Sequence, residues 1–492
     1  MFFGRVHGQR GSGRVGKDYR RSGVAAAFPL WGTVAHHEDG LAKFGRIAQN
    51  LGLAQIARYT ASIAQGMTQE TAQIETAPSP APAAVPQTQR GSAPEVLRAF
   101  LRLGLTSFGG PVAHLGYFRA EFVERRRWLD EPAFADIVAI CQFLPGPASS
   151  QVGISLGILR AGLPGAFAAW LGFTTPSALA MILFGYGVTA FGDLSHAAWL
   201  HGLKIVAAAV VAQAVWGMAR NLCPDRERAT IAVGAAILAL AVPAAAGQIG
   251  AIIAGGLIGW AVLRNVVPPP GAAVAVHLPH PFSVAAALAF FVLLFGLPVL
   301  EAAVPSHVIA LFDSFYRSGA LVFGGGHVVL PLLQAAVVPP GWVTNDAFLA
   351  GYGAAQAVPG PLFTFSAYLG TVMGPGPNGW LGGLICLMAI FLPSFLLLIG
   401  ALPFWDSLRR RPAVQSALRG VNAAVVGLLL AALYKPVWTS AISAPADFAI
   451  GIVAFLLLAL WAVPPWLVVA FGAVATAIVA NLPGLSGAFD AG

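Results

Sequence analysis

Apolar positions fill this chain in blocks of about 20 residues, from near residue 95 to residue 482, separated by short stretches that are polar or rich in glycine and proline. Blocks of that length match the ~30 Å hydrocarbon core of a bilayer. No strand-like alternation is visible, and a helix in lipid satisfies its own backbone groups, so each block predicts a helix. The blocks fall near 95–118, 133–162, 163–190, 196–219, 229–243 and 245–264. A connector from Pro268 to Pro281 leads to a single block near 282–303. Six more follow near 308–334, 345–372, 378–402, 413–434, 446–462 and 464–482.

Helix-breaking residues interrupt these blocks in a pattern that occurs twice. Gln142-Phe143-Leu144-Pro145-Gly146-Pro147 returns 214 positions later as Gln356-Ala357-Val358-Pro359-Gly360-Pro361. Upstream, by 34 and 33 residues, stand Phe108-Gly109-Gly110-Pro111 and Phe323-Gly324-Gly325-Gly326. Downstream, Pro176-Ser177 is echoed by Pro393-Ser394 at an offset of 217, and Gly202 by Gly420 at 218. A nearly constant offset marks a tandem duplication of one apolar unit. The first repeat is expected over residues 93–266 and the second over 306–485, with a connector and one extra helix over 267–305.

Charge placement then constrains how often the chain crosses. Arg119, Arg125, Arg126 and Arg127 follow the first block, while Arg102 sits within it. The sixteen residues between Arg102 and Arg119 are short for a crossing. Arg220, Arg226 and Arg228 share one loop, and Arg409, Arg410 and Arg411 another; such loops face the cytoplasm. If every block crossed, the loops at 125–127 and 220–228 would lie on opposite sides. The conflict disappears if both broken blocks of each repeat dip in and return. Each repeat then has four crossings, and the extra helix inverts the second repeat against the first. Alternatives with one re-entrant block per half satisfy part of the pattern. The expected fold class is an all-α polytopic membrane protein of tandem inverted-topology repeats with proline- and glycine-broken helices.

Composition agrees: 57% of the 492 residues are hydrophobic and 10% charged, and mean hydropathy is +0.74. Soluble domains carry about 25% charge. The formal charge of +8 comes largely from the first fifty residues and the arginine loops, so no nucleic-acid partner is implied. Residues 1–92 stand apart as an Arg/Gly-rich, then Pro/Ala-rich leader without the apolar core of a secretory signal. We expect the native start at Met67, because residues 67–93 make an ordinary polar lead-in. Cys141, Cys223 and Cys386 are isolated and read as membrane-packed thiols. Neither a metal nor a cofactor is expected. Carboxylates are too sparse for an intramembrane lipid-modifying enzyme, and no P-loop motif points to ATP.

The chemistry is expected where the breaks meet. Pro-Gly-Pro ends one helix and starts another inside the membrane, and the new N-terminus presents amide donors and the positive end of a dipole. That suits an anion without a buried lysine. Ser149, Ser150 and Gln151 follow the first break, Thr364 and Ser366 the second, and their hydroxyls are candidate donors to a tetrahedral anion. Gln142 and Gln356 are read either as partners of freed carbonyls or as substrate contacts. His114 and His327 stand at unequal distances from their glycine pairs, which weakens a symmetric proton relay. Lys204, in an otherwise apolar stretch and matched by neutral Asn422, is a candidate substrate-facing cation. Arg317 is read likewise, with a plain ion pair to Asp313 as the alternative.

Duplicated units carrying Phe-Gly-Gly and then Gln-x-x-Pro-Gly-Pro resemble the chromate ion transporter family in its long two-domain form, over roughly residues 95–485. The resemblance implies chromate export from the cytoplasm, sulfate as a structural analogue, a plasma-membrane location and chromate resistance. It assigns substrate binding to Phe108, Gly109, Gly110, Pro111, Gln142, Pro145, Gly146 and Pro147, and to Phe323, Gly324, Gly325, Gln356, Pro359, Gly360 and Pro361. The chain departs from the family in its leader and in Gly326, which stands where the first repeat has Pro111. The implied partners are a small inorganic oxyanion and the lipid bilayer, with a homodimer left open. The leading function is a secondary carrier working by alternating access; an oxyanion channel or a sulfate transporter is the alternative.

Overall fold

Polar caps set the helix starts, and they too are duplicated. Asp130 accepts from Ala133 N at 2.9 Å and Thr344 from Ala347 N at 3.2 Å, 214 residues apart, each opening the helix that runs down to a Pro-Gly-Pro break. Ser92 likewise caps the first helix. The computed structural model describes residues 91–190, 198–242, 245–263, 279–323 and 325–481. All of them fall in the unit Thr88–Gly492. Residues 1–90 of the leader, most of the 268–281 connector and Gly324 lie outside the described residues.

Among the described residues the secondary structure is helical. Repeat one comprises α1 (Ala93–Thr106), α2 (Gly110–Phe118), α3 (Glu131–Phe143), α4 (Ala148–Ala190), α5 (Ala198–Leu222), α6 (Arg226–Ala241) and α7 (Ala245–Val262). The run of α4 is kinked at Ala161 and Gly162 into a short first piece and a long second one. α8 (His280–Ala303) is the unduplicated helix, and Phe291, Val292, Phe295 and Val299 leave it exposed toward the lipid. Repeat two comprises α9 (His307–Ala320), α10 (Val329–Val337), α11 (Asn345–Ala355), α12 (Phe365–Val372), α13 (Gly379–Ala401), α14 (Trp405–Arg409), α15 (Pro412–Ala432), α16 (Thr439–Ala441), α17 (Pro445–Ala459) and α18 (Pro465–Asn481).

The broken segments are re-entrant. At the start of α1, Gly91 donates to Arg160 O at 2.9 Å and Glu95 pairs with Arg160 at 3.1 Å, although Arg160 lies at the far end of the first piece of α4. Trp128, between α2 and α3, sits under the same guanidinium, 5.2 Å from ring centroid to Arg160 Cζ. Both broken hairpins of repeat one therefore begin and end on one face. The second repeat rebuilds this corner with Trp342, which packs on His307 at 4.8 Å and whose carbonyl accepts from Gly374 N at 3.0 Å.

The two corners lie on opposite faces. The end of the long α4 piece meets the start of α13, where Trp380 N donates to Tyr186 Oη at 2.9 Å, so these helices are antiparallel. At the other face the end of α13 comes back to α3, where Trp405 Nε1 donates to Asp136 at 3.1 Å. Among the described residues five helices are long and apolar enough to span a membrane: the α4 run, α5, α8, α13 with its extension, and α15 with its extension. α6, α7, α17 and α18 have 16, 18, 15 and 17 residues, near or below the lower limit of the roughly 17–25 a full crossing takes. They form hairpins that return to the face they left, so face assignment does not depend on their depth. All the loop arginines named above then share one face, cytoplasmic by the positive-inside rule. There Arg228, bonding through both its guanidinium and its amide, holds the Asp225 carboxyl below the usual range.

The terminal hairpins are exchanged between repeats. α6 and α7 pack on α15, and α17 and α18 pack on α5. Small residues let the backbones touch: a methyl built on Gly420 would lie 2.1 Å from Gly255 O, and one on Gly202 would lie 2.4 Å from Gly472 O. Cysteines introduced at Glu227 and Ser443, in a background without native cysteines, report the inversion. A membrane-impermeant maleimide is expected to label Ser443→Cys in intact cells and Glu227→Cys only after permeabilisation. Equal labelling from one side would overturn the antiparallel arrangement.

Candidate functional site

Four helix breaks converge at the centre of the body, and their backbone groups pair across the repeats. Gly146 N donates to Val322 O at 2.7 Å, and Gly360 N donates to Ser107 O at 2.9 Å. Each Pro-Gly-Pro break is thus tied to the residue just before the other repeat's Phe-Gly-Gly break. The two glycine-pair breaks also meet, since a methyl on Gly326 would lie 3.3 Å from Pro111 Cγ. Such pairing follows from burial, because an unpaired amide inside a membrane costs several kcal/mol, on the order of 2–7. It corrects one expectation: the amides of Gly146 and Gly360 are not bare, and donors for a ligand must come from the helix turns beyond them.

Glycine is required at both junctions. φ is +130° at Gly146 and +99° at Gly360, a region L side chains rarely adopt. A methyl on Gly146 would lie 2.6 Å from Ser394 Oγ and 2.4 Å from Gln151 Nε2; one on Gly360 would lie 2.8 Å from Ser177 Oγ. Ser394 belongs to repeat two and Ser177 to repeat one, so the crossing is reciprocal here as well. These serines escaped selection as site residues, although the duplicated Pro-Ser pair was in plain view as a repeat landmark.

The candidate residues divide. Ser149 and Ser150 are buried at the start of α4, Ser149 Oγ lies 3.3 Å from His114 Nδ1, and Ser150 Oγ has no partner. Thr364 and Ser366 are buried but donate to Pro361 O at 2.8 Å and Phe363 O at 2.7 Å. Their single hydroxyl protons are therefore spent on the turn that starts α12. Unpartnered buried hydroxyls stand instead at Ser107, Thr174 and Ser394. His114 is buried against the edge of Phe173 at 5.2 Å, and its Nε2 also has no partner.

Of the two glutamines, Gln142 is exposed and Gln356 makes only a long contact, 3.5 Å, to Tyr352 O. The freed carbonyl of Pro145 is taken by Gln151, whose Nε2 donates to it at 2.7 Å. Pro145 and Pro359 are half-buried, Pro147 and Pro361 buried, Phe108 and Phe323 half-buried, and Phe108 packs near Trp466 at 6.4 Å. Gly109 is exposed, and Gly110, Pro111 and Gly325 are intermediate. Lys204 stands elsewhere: its ammonium donates to Asp346 at 3.1 Å, joining α5 of repeat one to α11 of repeat two on the outer face. Next to it His201 pairs with Asp447 at 2.9 Å.

The helix starts at the junction are those of α2, the first piece of α4, the 3₁₀ turn leading to α10, and the 3₁₀ turn leading to α12. Each such terminus favours an anion by about 0.3–2 kcal/mol. Even four together fall short of the hydration a dianion gives up, so the free hydroxyls and retained water must share the load.

The sequence profile described as "Chromate transporter" matches residues 94–260 and 309–477, one stretch in each repeat. A protein of Pseudomonas aeruginosa named "Chromate transport protein" is 32% identical over 352 residues, covering 69% of this chain and 79% of that protein. A "Probable chromate transport protein" of Synechococcus elongatus is 26% identical over 347 residues, covering 69% and 83%. A "Chromate transport protein" of Cupriavidus metallidurans is 25% identical over 351 residues, covering 69% and 81%. No solved structure matches.

Gln151→Leu leaves the Pro145 carbonyl unpaired in an apolar interior, a loss of about 1–3 kcal/mol. We expect a lower melting temperature for the detergent-solubilised protein, with Gln142→Leu close to wild type. Equal melting of Gln151→Leu and wild type would remove Gln151 from its role at the break.

Proposed function

The chain belongs to the chromate transporter family, and on that footing we propose that it is a secondary carrier moving chromate out of the cytoplasm across the plasma membrane, so conferring chromate resistance. The observation that carries the reading is the reciprocal pairing of Gly146 with Val322 and of Gly360 with Ser107. Two inverted repeats joined through their broken helices can rock on each other while the site between them stays fixed, which is the requirement of alternating access.

The substrate chemistry follows from what the junction offers. It has helix N-termini and unpartnered hydroxyls at Ser107, Ser150, Thr174 and Ser394, and no carboxylate among these groups. A tetrahedral oxyanion presents four acceptor oxygens to such donors. Sulfate has the same shape and charge and is expected to compete. With the arginine face in the cytoplasm, the membrane potential favours export. An inside-negative potential pushes each negative charge outward with about 2.3 kcal/mol per 100 mV, so a dianion gains about twice that.

Uptake of labelled chromate into everted vesicles tests the reading. Saturable flux, counterflow, acceleration by an imposed potential and inhibition by sulfate are expected. A linear, non-saturating flux without counterflow would replace the carrier with a channel. Gly146→Val and Gly360→Val combine forbidden φ with steric conflict and are expected to abolish flux while the protein still inserts. Wild-type flux in both variants would show that the junction is not the path.

A further inference from the structure

α9 carries a charge cluster that the anion site does not use. Asp313 is fully buried, 0% exposed, and Arg317, one turn further along the same helix, contacts its Oδ2. Glu301, two residues from the end of α8 and partly exposed, is near enough to Asp313 for the two carboxyls to interact. The cluster thus holds two carboxyls and one guanidinium, which contacts Asp313. With both ionised the cluster carries a net negative charge inside the membrane; with one proton bound it is neutral. A buried uncompensated charge is expensive, and like-charged carboxylates a few ångströms apart resist ionising together.

Among the described residues the helices packed on α9 bring no further charge to it. α8, α10 and α13 are the principal helices packed on α9. Of these, α10 has no titratable residue, α13 has only Cys386, and α8 supplies Glu301 and, at its distant start, His280. On α9 itself Tyr316 donates to Phe290 O at 2.9 Å, and His307 packs on Trp342 at the outer face. Both carboxylate oxygens of Asp313, and Arg317 Nε, lack a well-formed hydrogen bond. The cluster is also particular to one repeat, because at the break offset of 215 the first repeat has Arg98 and Arg102.

Its place links it to the junction. Arg317 O accepts from Leu321 N at 3.0 Å, and the next residue, Val322, accepts from Gly146 N. Between them Gly319 lies so close to α13 that a methyl would stand 2.1 Å from Ile390 O, so α9 and α13 shift only together.

Resting on the carrier reading above, we propose that Asp313 is the proton-binding group that couples proton movement to oxyanion transport, with Glu301 its route from the outer face. Asp313 takes up a proton from outside and becomes a neutral carboxylic acid, and its ion pair with Arg317 is released while the cluster as a whole becomes neutral. α9 is then free to settle differently against Val322 and the break. On the cytoplasmic side Asp313 gives up the proton and re-forms its pair with Arg317, so protons move inward as the anion moves outward.

The test uses the full-length protein in liposomes loaded with a pH-sensitive dye, with labelled chromate and an imposed potential in sodium-free buffer. In the wild type, chromate movement is expected to be matched by proton movement in the opposite direction, and a pH gradient alone to drive it. Asp313→Asn should lose the chromate-evoked proton signal while chromate still moves under the potential, and Asp313→Glu should restore the signal. Glu301→Gln should slow proton uptake from the outer side. If Asp313→Asn misfolds, Asp313→Asn/Arg317→Gln removes both charges and makes the same comparison. A proton signal that persists in the correctly folded variant, a wild type that moves chromate without protons, or a requirement for sodium would each overturn the coupling while leaving the carrier standing. Absence of any wild-type chromate flux would overturn the carrier reading, and this assignment with it.

Discussion

Two hydrogen bonds hold the centre of this protein, Gly146 N to Val322 O and Gly360 N to Ser107 O. A chain broken four times inside a membrane must find partners for the amides and carbonyls those breaks release, since neither lipid nor, at that depth, bulk water supplies them. Each repeat solves the problem with the other repeat's break. Neither half closes its own backbone accounts, so the duplication is a requirement of the fold and not merely its history.

Inversion accompanies the same pairing. The halves whose Pro-Gly-Pro and Phe-Gly-Gly turns meet are antiparallel, and the single helix α8 between them makes them so. The exchanged hairpins α6–α7 and α17–α18 then pack on α15 and α5 through glycine contacts, which clamp the pair from both sides. On the proposed carrier reading, a dianion entering this junction meets dipoles and hydroxyls on a backbone already satisfied, so the protein need not first expose unpaired groups.

The symmetry stops at the charges. The Trp128 corner is ringed by arginines and the Trp342 corner is not; Lys204 faces Asp346 where its duplicate is Asn422; Asp313 and Arg317 replace a pair of arginines. A symmetric scaffold can reorient, but only asymmetric charge gives the two orientations different responses to potential or protons.

Much of this was written in the chain. The doubled motifs and their offset mark two repeats, and the arginine loops favour re-entrant hairpins and inversion over a topology in which every block crosses, because a crossing needs length and positive charge stays inside. What tertiary structure alone decided is which partner each polar group takes. Gln151, not Gln142, holds the Pro145 carbonyl; Thr364 and Ser366 give their protons to their own turn; Lys204 is held by Asp346; and Ser177 and Ser394, landmarks in the sequence, stand against the opposite glycines. Periodicity and composition are local quantities, readable in one dimension. A hydrogen bond between residues more than two hundred positions apart depends on where two helices end in space, and only the folded chain determines that.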